Sequence, residues 1–249
     1  MDGGIALRIA RLAVGAPGTR VAEVGPGTGA LTAALVKLGA DVTALDVDPV
    51  MVQILRSRAD LAAVRIEEAD ALAFDFATWA GTQAWSMAGN LPYNIATPLL
   101  LRLADLPHPP TRIVAMIQKD VADRLLAKPG TAQYGSLTVA IGLRMRVERA
   151  IVVGPSHFYP RPNVVSAVVV LTPHEHPPVN VSDYVHFERV VRGAFAYRRK
   201  TLANSLALAL GVPREHIAHA LTRIQLDPDI RGEQLNLTQF AALADALAN

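Results

Sequence analysis

The sequence contains no cysteine. That excludes a disulfide scaffold, a thiolate metal site and a cysteine nucleophile, and it suits a reducing compartment. Aromatic residues are scarce, at 5% of the chain, so a ring in a polar context carries information. No apolar run approaches the length of a membrane span and no signal peptide is recognisable, so a cytoplasmic protein without a membrane partner is expected. Repeats and low-complexity tracts are missing too. What is present is a chain of 249 residues, 51% of them apolar. That suffices for a full α/β domain plus a small helical one.

Charge is nearly balanced, at +2, but unevenly placed. Residues 1–143 carry 12 Lys or Arg against 13 Asp or Glu, residues 144–200 carry 9 against 4, and residues 201–249 carry 3 against 5. The densest basic point is Arg198, Arg199 and Lys200. Such a band suits a polyanionic partner, or equally a solvated charged face.

Strand and helix patterns alternate over the first half. Residues 3–13 read as an amphipathic helix ended by Gly15 and Pro17, "RVAEVG" (20–25) as a strand, and 29–38 as a helix stopped by Gly39. "DVTALDV" (41–47) is a strand, and Pro49 suits the first position of the next helix. "VRIEEA" (64–69), "AWSMAGN" (84–90) and "TRIVAMI" (111–117) are further strands, with helices over 97–105 and 118–127. Alternation of this kind predicts a mainly parallel sheet wound on both faces. Residues 144–172 then hold two strands around "PSHFYPRP", an antiparallel, hairpin-like edge. "PHEHPPVNVS" (173–182) is the best linker, and the pattern after it is helical. The expected division is residues 1–176 and residues 177–249.

"EVGPGTGA" (23–30) lies between a strand and a helix, with glycines at 25, 27 and 29 that let the backbone approach a ligand. Asp46 ends the next strand, where a carboxylate can accept hydrogen bonds from two ribose hydroxyls. The loop also fits the dinucleotide fingerprint, so a dehydrogenase is a rival. Glu23 argues against it, because a carboxylate beside the loop repels a pyrophosphate. S-adenosylmethionine carries an ammonium and a sulfonium there, which a carboxylate favours. Asp70, after the third strand, is placed to accept from the amino group of a cofactor adenine. Taken singly, Glu23 reads as a solvated strand-end charge and Asp70 as a cap; the ordered set is what points to a cofactor.

"AGNLPYNIAT" (88–97) offers an amide, a proline and a ring but no strong acid, base or nucleophile. Methyl transfer from a sulfonium needs none, because the cofactor supplies the electrophile and the protein positions the acceptor. The side-chain oxygen of Asn90 and the carbonyl of Leu91, directed by Pro92, can hold the N–H bonds of an adenine amine. Tyr93 can stack on the base. The alternative is a strand-end turn whose Asn caps a backbone group and whose Pro-Tyr packs.

With those residues in view, the chain resembles a known family. "GNLPYNI" is similar to the target-base motif of the ribosomal RNA adenine N6-dimethyltransferases, the KsgA family. "VAEVGPGTGALT" resembles its cofactor loop, and "ALDVD" its ribose-binding strand end, with Asp46 where Glu is usual. "EADAL" resembles its adenine-binding turn, and "QKDVADRLLAKPGTAQYGSL", "FYPRPNVVSAVVVL", "AFAYRRKTLANSL" and "IRGEQLNLTQFAAL" its later blocks. The resemblance implies a Rossmann-like methyltransferase sheet with a small C-terminal all-helical domain. It implies that Asn90 and Leu91 hold the target amine and that Tyr93 and Phe158 stack on the two faces of the base. Glu23, Gly25 and Gly27 would then serve the methionine part of S-adenosylmethionine, Asp46 and Val47 the ribose side, and Asp70 and Ala71 the adenine. Arg198, Arg199 and Lys200 would lie near RNA. The implied product is dimethyladenosine at two adjacent adenosines near the 3′ end of small-subunit rRNA in an immature subunit, with S-adenosylhomocysteine released by a monomeric enzyme. Family members usually begin with a Q-x-F-L segment that helps close over the cofactor. This chain starts at "MDGGIALRIARLA", which reads as a shortened chain, a misplaced start or a member without that lid.

Phe158 lies between prolines, where loop packing is common, but a flipped base needs a ring there. His157 has no assigned role. His174 and His176 flank Glu175 without further ligands at a metal spacing, so no metal is expected. Gln118 and Lys119 suit either an RNA phosphate or a helix start; Met116 and Leu101 read as core. Two rivals share part of the pattern: an erythromycin-resistance type methyltransferase acting on large-subunit RNA, and an rRNA-binding assembly factor whose methylation is secondary or lost.

Overall fold

The computed structural model describes residues 2–158 and 163–248. Residues 159–162, within the "FYPRP" block, lie outside them. The elements in chain order are α1 (Gly3–Ala13), β1 (Arg20–Val24), α2 (Ala30–Lys37), β2 (Asp41–Asp46), α3 (Pro49–Ser57), β3 (Arg65–Glu68), α4 (Phe76–Ala80), β4 (Trp85–Asn90), α5 (Ala96–Ala104), β5 (Arg112–Gln118), α6 (Lys119–Leu125), α7 (Ser136–Arg144), β6 (Met145–Val153), β7 (Ser166–Pro173), α8 (Tyr184–Ala196), α9 (Leu202–Leu210), α10 (Arg214–Arg223) and α11 (Leu237–Ala248).

Seven strands form one sheet in the order β3-β2-β1-β4-β5-β7-β6. The first five are parallel, and β7 runs antiparallel between β5 and β6. This is the mainly parallel sheet that the alternation predicts, and the Rossmann-like methyltransferase fold that the resemblance implies. The strand sequences explain their places. β1 and β4 are buried almost throughout, as strands covered on both faces must be. "SAVVVLTP" of β7 is nearly continuously apolar and occupies an inner position, whereas "MRVERAIVV" of β6 alternates and forms the edge.

The order reverses at β1, whose neighbours are β2 and β4. Ligands of open α/β sheets bind outside the carboxyl ends of the strands at such a point. α1 and α2 cover one face there through Ile5, Ile9, Ala13, Leu31 and Leu35, packed against Val21, Ala88 and Met116. Met116 is core as expected; Leu101 is half-buried, because α5 turns Leu99, Leu100, Leu103 and Ala104 inward instead.

Two compact units are present: Met1–Ala122 with Met145–Pro173, and Asp123–Arg144 with His174–Asn249. The expected division at 176 and this partition differ over residues 174–176 and, more substantially, over residues 123–144. Residues 123–144 carry α7, whose Val139 and Leu143 join a core with Phe187, Leu206 and Phe240. The Tyr134 hydroxyl donates to the Leu235 carbonyl at 2.8 Å and the Gly130 amide to the Glu233 carbonyl at 2.7 Å. The second unit is thus helical but is not one continuous stretch of chain. Among the described residues no helix is long and apolar enough to cross a membrane.

Candidate active site

Five of the expected positions are brought to one edge of the sheet by the parallel register. Glu23 lies near the end of β1, Asp46 ends β2, Asp70 follows β3, Asn90 ends β4 and Gln118 ends β5. The loop after β6 reaches the same edge, since Val153 and Gln118 both pair with Ser166. Phe158 is in that loop.

Glu23 is not a solvated strand-end charge. It is 1% exposed, between Ala44 of β2 and Ala88 of β4 in the ladder. Neither carboxyl oxygen has a hydrogen-bond partner of acceptable geometry, and the buried Thr32 hydroxyl also lacks one. Burial pushes the carboxyl up to about 8; Thr32 lies close enough to oppose part of that rise, and the negative Asp46 adds to it. A buried anion-forming group without a donor is costly unless something supplies charge or protons. A ligand carrying positive charge at this point would complete it, and a pyrophosphate would not.

The glycine loop beside it is built from left-handed residues: Gly25, Gly27 and Gly29 have φ of +68°, +54° and +87°. The three differ in what a side chain would meet. At Gly29 a Cβ would lie 2.8 Å from Arg58 Nη1 and from Leu55, so this glycine is needed for packing. At Gly27 nothing lies within 4 Å, so the backbone there faces open space, as a ligand cradle requires. At Gly25 a Cβ would lie 3.4 Å from the Asn90 carbonyl oxygen and 3.7 Å from Pro92 Cδ.

Asp46 is half-buried, and its Oδ1 accepts from the Asp48 amide at 3.0 Å. Val47 beside it is 64% exposed. Asp70 is exposed, with Oδ1 accepting from the Leu72 amide at 2.8 Å, and its neighbour Ala71 is buried. Ala71 is held in turn by Arg102, whose guanidinium donates to the carbonyls of Ala71 and Phe74 at 2.9 and 2.7 Å.

Asn90 is exposed, while Leu91 is buried and anchors the turn, donating its amide to the Met116 carbonyl at 3.0 Å. Tyr93 is 52% exposed, available as a ring surface rather than packed away. Phe158 is half-buried against the α1–α2 cluster. Just before it, the His157 carbonyl accepts the Asp2 amide at 2.9 Å, so α1 holds the base of this loop.

Arg198, Arg199 and Lys200 are exposed in the second unit and, with Ala196 and Tyr197, line a concavity of about 610 Å³. They are not equivalent. The Arg198 guanidinium donates to the carbonyls of Ala132 and Tyr134, and its own carbonyl accepts from Arg231, so Arg198 ties the helical unit together. No group of three metal-ligating side chains occurs among the described residues. In particular, His174 Nε2 pairs with the Gly142 carbonyl at 2.9 Å.

Sequence reasoning missed three contributors. Gly89 has no room for a side chain, since a Cβ would sit 2.5 Å from the Val24 carbonyl oxygen. A glycine inside a strand pattern is the available signal for such close approach. Thr32 and Arg58 show no motif; only the folded chain brings them to Glu23 and to the loop.

Comparison with known proteins follows the same lines. The family model described as "Ribosomal RNA adenine dimethylase" matches residues 5–249. A relative from Geobacter sulfurreducens, "Ribosomal RNA small subunit methyltransferase A", is 43% identical over 99% of this chain and 91% of its own. The protein of the same name from Pseudomonas aeruginosa is 41% identical over 99% of this chain and 91% of its own. The crystal structure of a dimethyladenosine transferase from Plasmodium falciparum superposes with a TM-score of 0.81 at 26% identity, covering 96% of this chain and 94% of that one. The 23S rRNA methyltransferase ErmE shares the fold, with a TM-score of 0.73 at 24% identity over 100% and 99% of the two chains. Matched along nearly its whole length, the chain is a methyltransferase and belongs to the ribosomal RNA adenine dimethylase family.

Proposed function

We propose that this chain methylates the N6 amines of two adjacent adenosines near the 3′ end of small-subunit rRNA, giving dimethyladenosine, while the small ribosomal subunit is immature. One observation carries the reading. The cofactor loop and the acceptor motif adjoin: a side chain at Gly25 would touch the Asn90 carbonyl and Pro92. A donor held by the loop and an amine held by Asn90 are therefore neighbours. The bacterial relatives' names support the small-subunit substrate.

S-adenosylmethionine supplies, when bound, an electrophilic methyl group and leaves as S-adenosylhomocysteine. The chain's residues bind and orient. Glu23, Gly25 and Gly27 receive the charged methionine end, Asp46 and Val47 the ribose side, Asp70 and Ala71 the adenine. The Asn90 side-chain oxygen and the Leu91 carbonyl accept the N–H bonds of the target amine. Tyr93 and Phe158 sandwich the base. As the N–CH₃ bond forms, the amine becomes cationic and releases a proton to water, so no strong base is needed. Arg199 and Lys200 face rRNA phosphate from the helical unit, next to Arg198, whose guanidinium is engaged by the Ala132 and Tyr134 carbonyls, and the enzyme works as a cytoplasmic monomer.

The test is mass spectrometry of small-subunit rRNA after immature subunits are incubated with this chain and S-adenosylmethionine. Gain of 28 mass units, roughly two methyl groups, on each of two adjacent adenosines is expected. Unmodified adenosines there, or methylation confined to large-subunit RNA, overturn the reading.

A further inference from the structure

The glycine loop has three residues in the left-handed region, Gly25, Gly27 and Gly29. Glycines at 25, 27 and 29 lose more conformational freedom on ordering than any other residue would. Three of its backbone ties are local to the sheet and helix: the Gly25 amide to the Leu45 carbonyl, the Gly29 amide to the Pro26 carbonyl and the Ala33 amide to the Gly29 carbonyl, each at 3.0 Å. None of them restrains the peptide between Thr28 and Gly29 through its carbonyl.

That carbonyl is taken by a residue 30 positions away. Arg58 caps the C-terminus of α3, and its Nη1 donates to the Thr28 carbonyl at 2.6 Å. The rest of the guanidinium is fixed by Asp60, with Nε to Oδ1 at 3.0 Å and Nη2 to Oδ2 at 2.5 Å. The pair is partly exposed, at 31% and 57% for the two side chains, and an ion pair of that kind contributes little stability by itself. Its geometry does more. The two-pronged contact fixes the plane of the guanidinium and leaves Nη1 aimed at the loop. Gly29 makes room for this, since Arg58 Nη1 and Leu55 occupy the positions its side chain would need.

We propose that Arg58, oriented by Asp60, is a positioning residue that holds the Thr28 carbonyl and keeps the glycine loop in its cofactor-receiving conformation. The proposal rests on the reading of this loop as the S-adenosylmethionine site. Preorganisation lowers the entropy lost on binding, so the clamp acts on cofactor affinity and leaves the acceptor side unchanged.

The experiment compares wild type, Arg58→Met, Arg58→Lys and Asp60→Asn as full chains, by calorimetry with S-adenosylmethionine and by steady-state kinetics on small subunits. Methionine keeps the apolar stem and removes the donors. Arg58→Met is expected to bind the cofactor roughly tenfold more weakly, the scale of one charge-assisted hydrogen bond. Its KM for cofactor rises in step, while kcat at saturation and KM for the subunit stay within about twofold. Arg58→Lys recovers part of the affinity, since an ammonium can make the Thr28 contact without the Asp60 fork. Asp60→Asn falls between wild type and Arg58→Met. Wild-type binding with unchanged affinity in Arg58→Met overturns the clamp alone, as does a kcat loss at saturating cofactor or no recovery with Arg58→Lys. No cofactor binding by wild type overturns the functional reading itself, and the clamp with it.

Discussion

Glu23 is held in the sheet with neither oxygen hydrogen-bonded, and burial pushes its carboxyl up to about 8 from an ordinary 4.5. The unfolded chain ionises it near the ordinary value. Folding therefore takes up a proton between those two values, and wild-type stability falls as pH rises through that window, then levels above it. Glu23→Gln cannot ionise, so its melting temperature should gain on wild type across the window and hold a constant difference beyond. A difference independent of pH throughout would show Glu23 ionised in the folded chain. The same variant lacks an anion for the cofactor's charged end and should bind S-adenosylmethionine at least tenfold more weakly, roughly the loss of one charge-assisted contact. The two glycines that follow separate fold from ligand. Gly29→Ala places a methyl against Arg58 and Leu55 and should lower stability by more than the ~1–2 kcal/mol of left-handed strain. Gly27→Ala carries that strain without a clash, so it should melt closer to wild type yet lose cofactor affinity by obstructing the cradle. Thermal melts paired with calorimetry distinguish the two; equal affinity loss with equal melting would remove the distinction.

At the scale of elements, the parallel half was legible because β1, β2 and β4 announced themselves twice, by an apolar run and by the punctuation after it. Gly25 follows β1, Pro49 opens α3, and Pro92 follows β4. The edge hairpin was legible as two strands around "PSHFYPRP"; which of them is inner shows in the fold, where nearly continuously apolar β7 lies inside and alternating β6 forms the edge. α7 was not legible. Its sequence "SLTVAIGLR" mixes β-branched residues with a mid-helix glycine and runs without punctuation into a strand, so its helicity comes from packing in the second unit rather than from local preference. The site shows the same split. The motif positions that the fold brings to one edge of the sheet, from Glu23 to Asn90, stand in order in the sequence; Thr32 and Arg58 depend on distances that only folding creates. The β4 end supports a prediction of its own. Asn90 is exposed at the strand terminus while Leu91 and Gly89 fix the backbone on either side. Asn90→Ala should therefore leave folding and cofactor affinity nearly intact and lower kcat by about 10²-fold, the scale of losing one aimed polar contact in a transition state. Single-turnover kinetics against cofactor calorimetry decides it, and unchanged turnover removes Asn90 from the acceptor role.

At the scale of the whole molecule, charge is unevenly placed. Carboxyl groups collect at the carboxyl edge of the sheet, where Glu23 lies near the end of β1, Asp46 ends β2 and Asp70 follows β3. The basic excess falls in residues 144–200, 9 against 4. Its densest run belongs to the helical unit, yet the three residues are not equivalent there. Arg198 spends its guanidinium on the carbonyls of Ala132 and Tyr134, and Arg231 grips the Arg198 carbonyl. Arg199 and Lys200 are exposed beside the same concavity. Replacing all three would therefore mix loss of the proposed RNA contact with loosening of the unit. The informative pair is Arg199→Ala with Lys200→Ala against Arg198→Ala alone. Each phosphate contact contributes roughly 0.7–0.9 to the slope of log affinity against log salt. The double variant should flatten that slope by about 1.4–1.8 for subunit binding, with melting temperature held near wild type. Arg198→Ala should lower the melting temperature of the helical unit, with a smaller change in slope. An unchanged slope in the double variant would move the RNA contact away from this run and leave Arg198 as its one structural member.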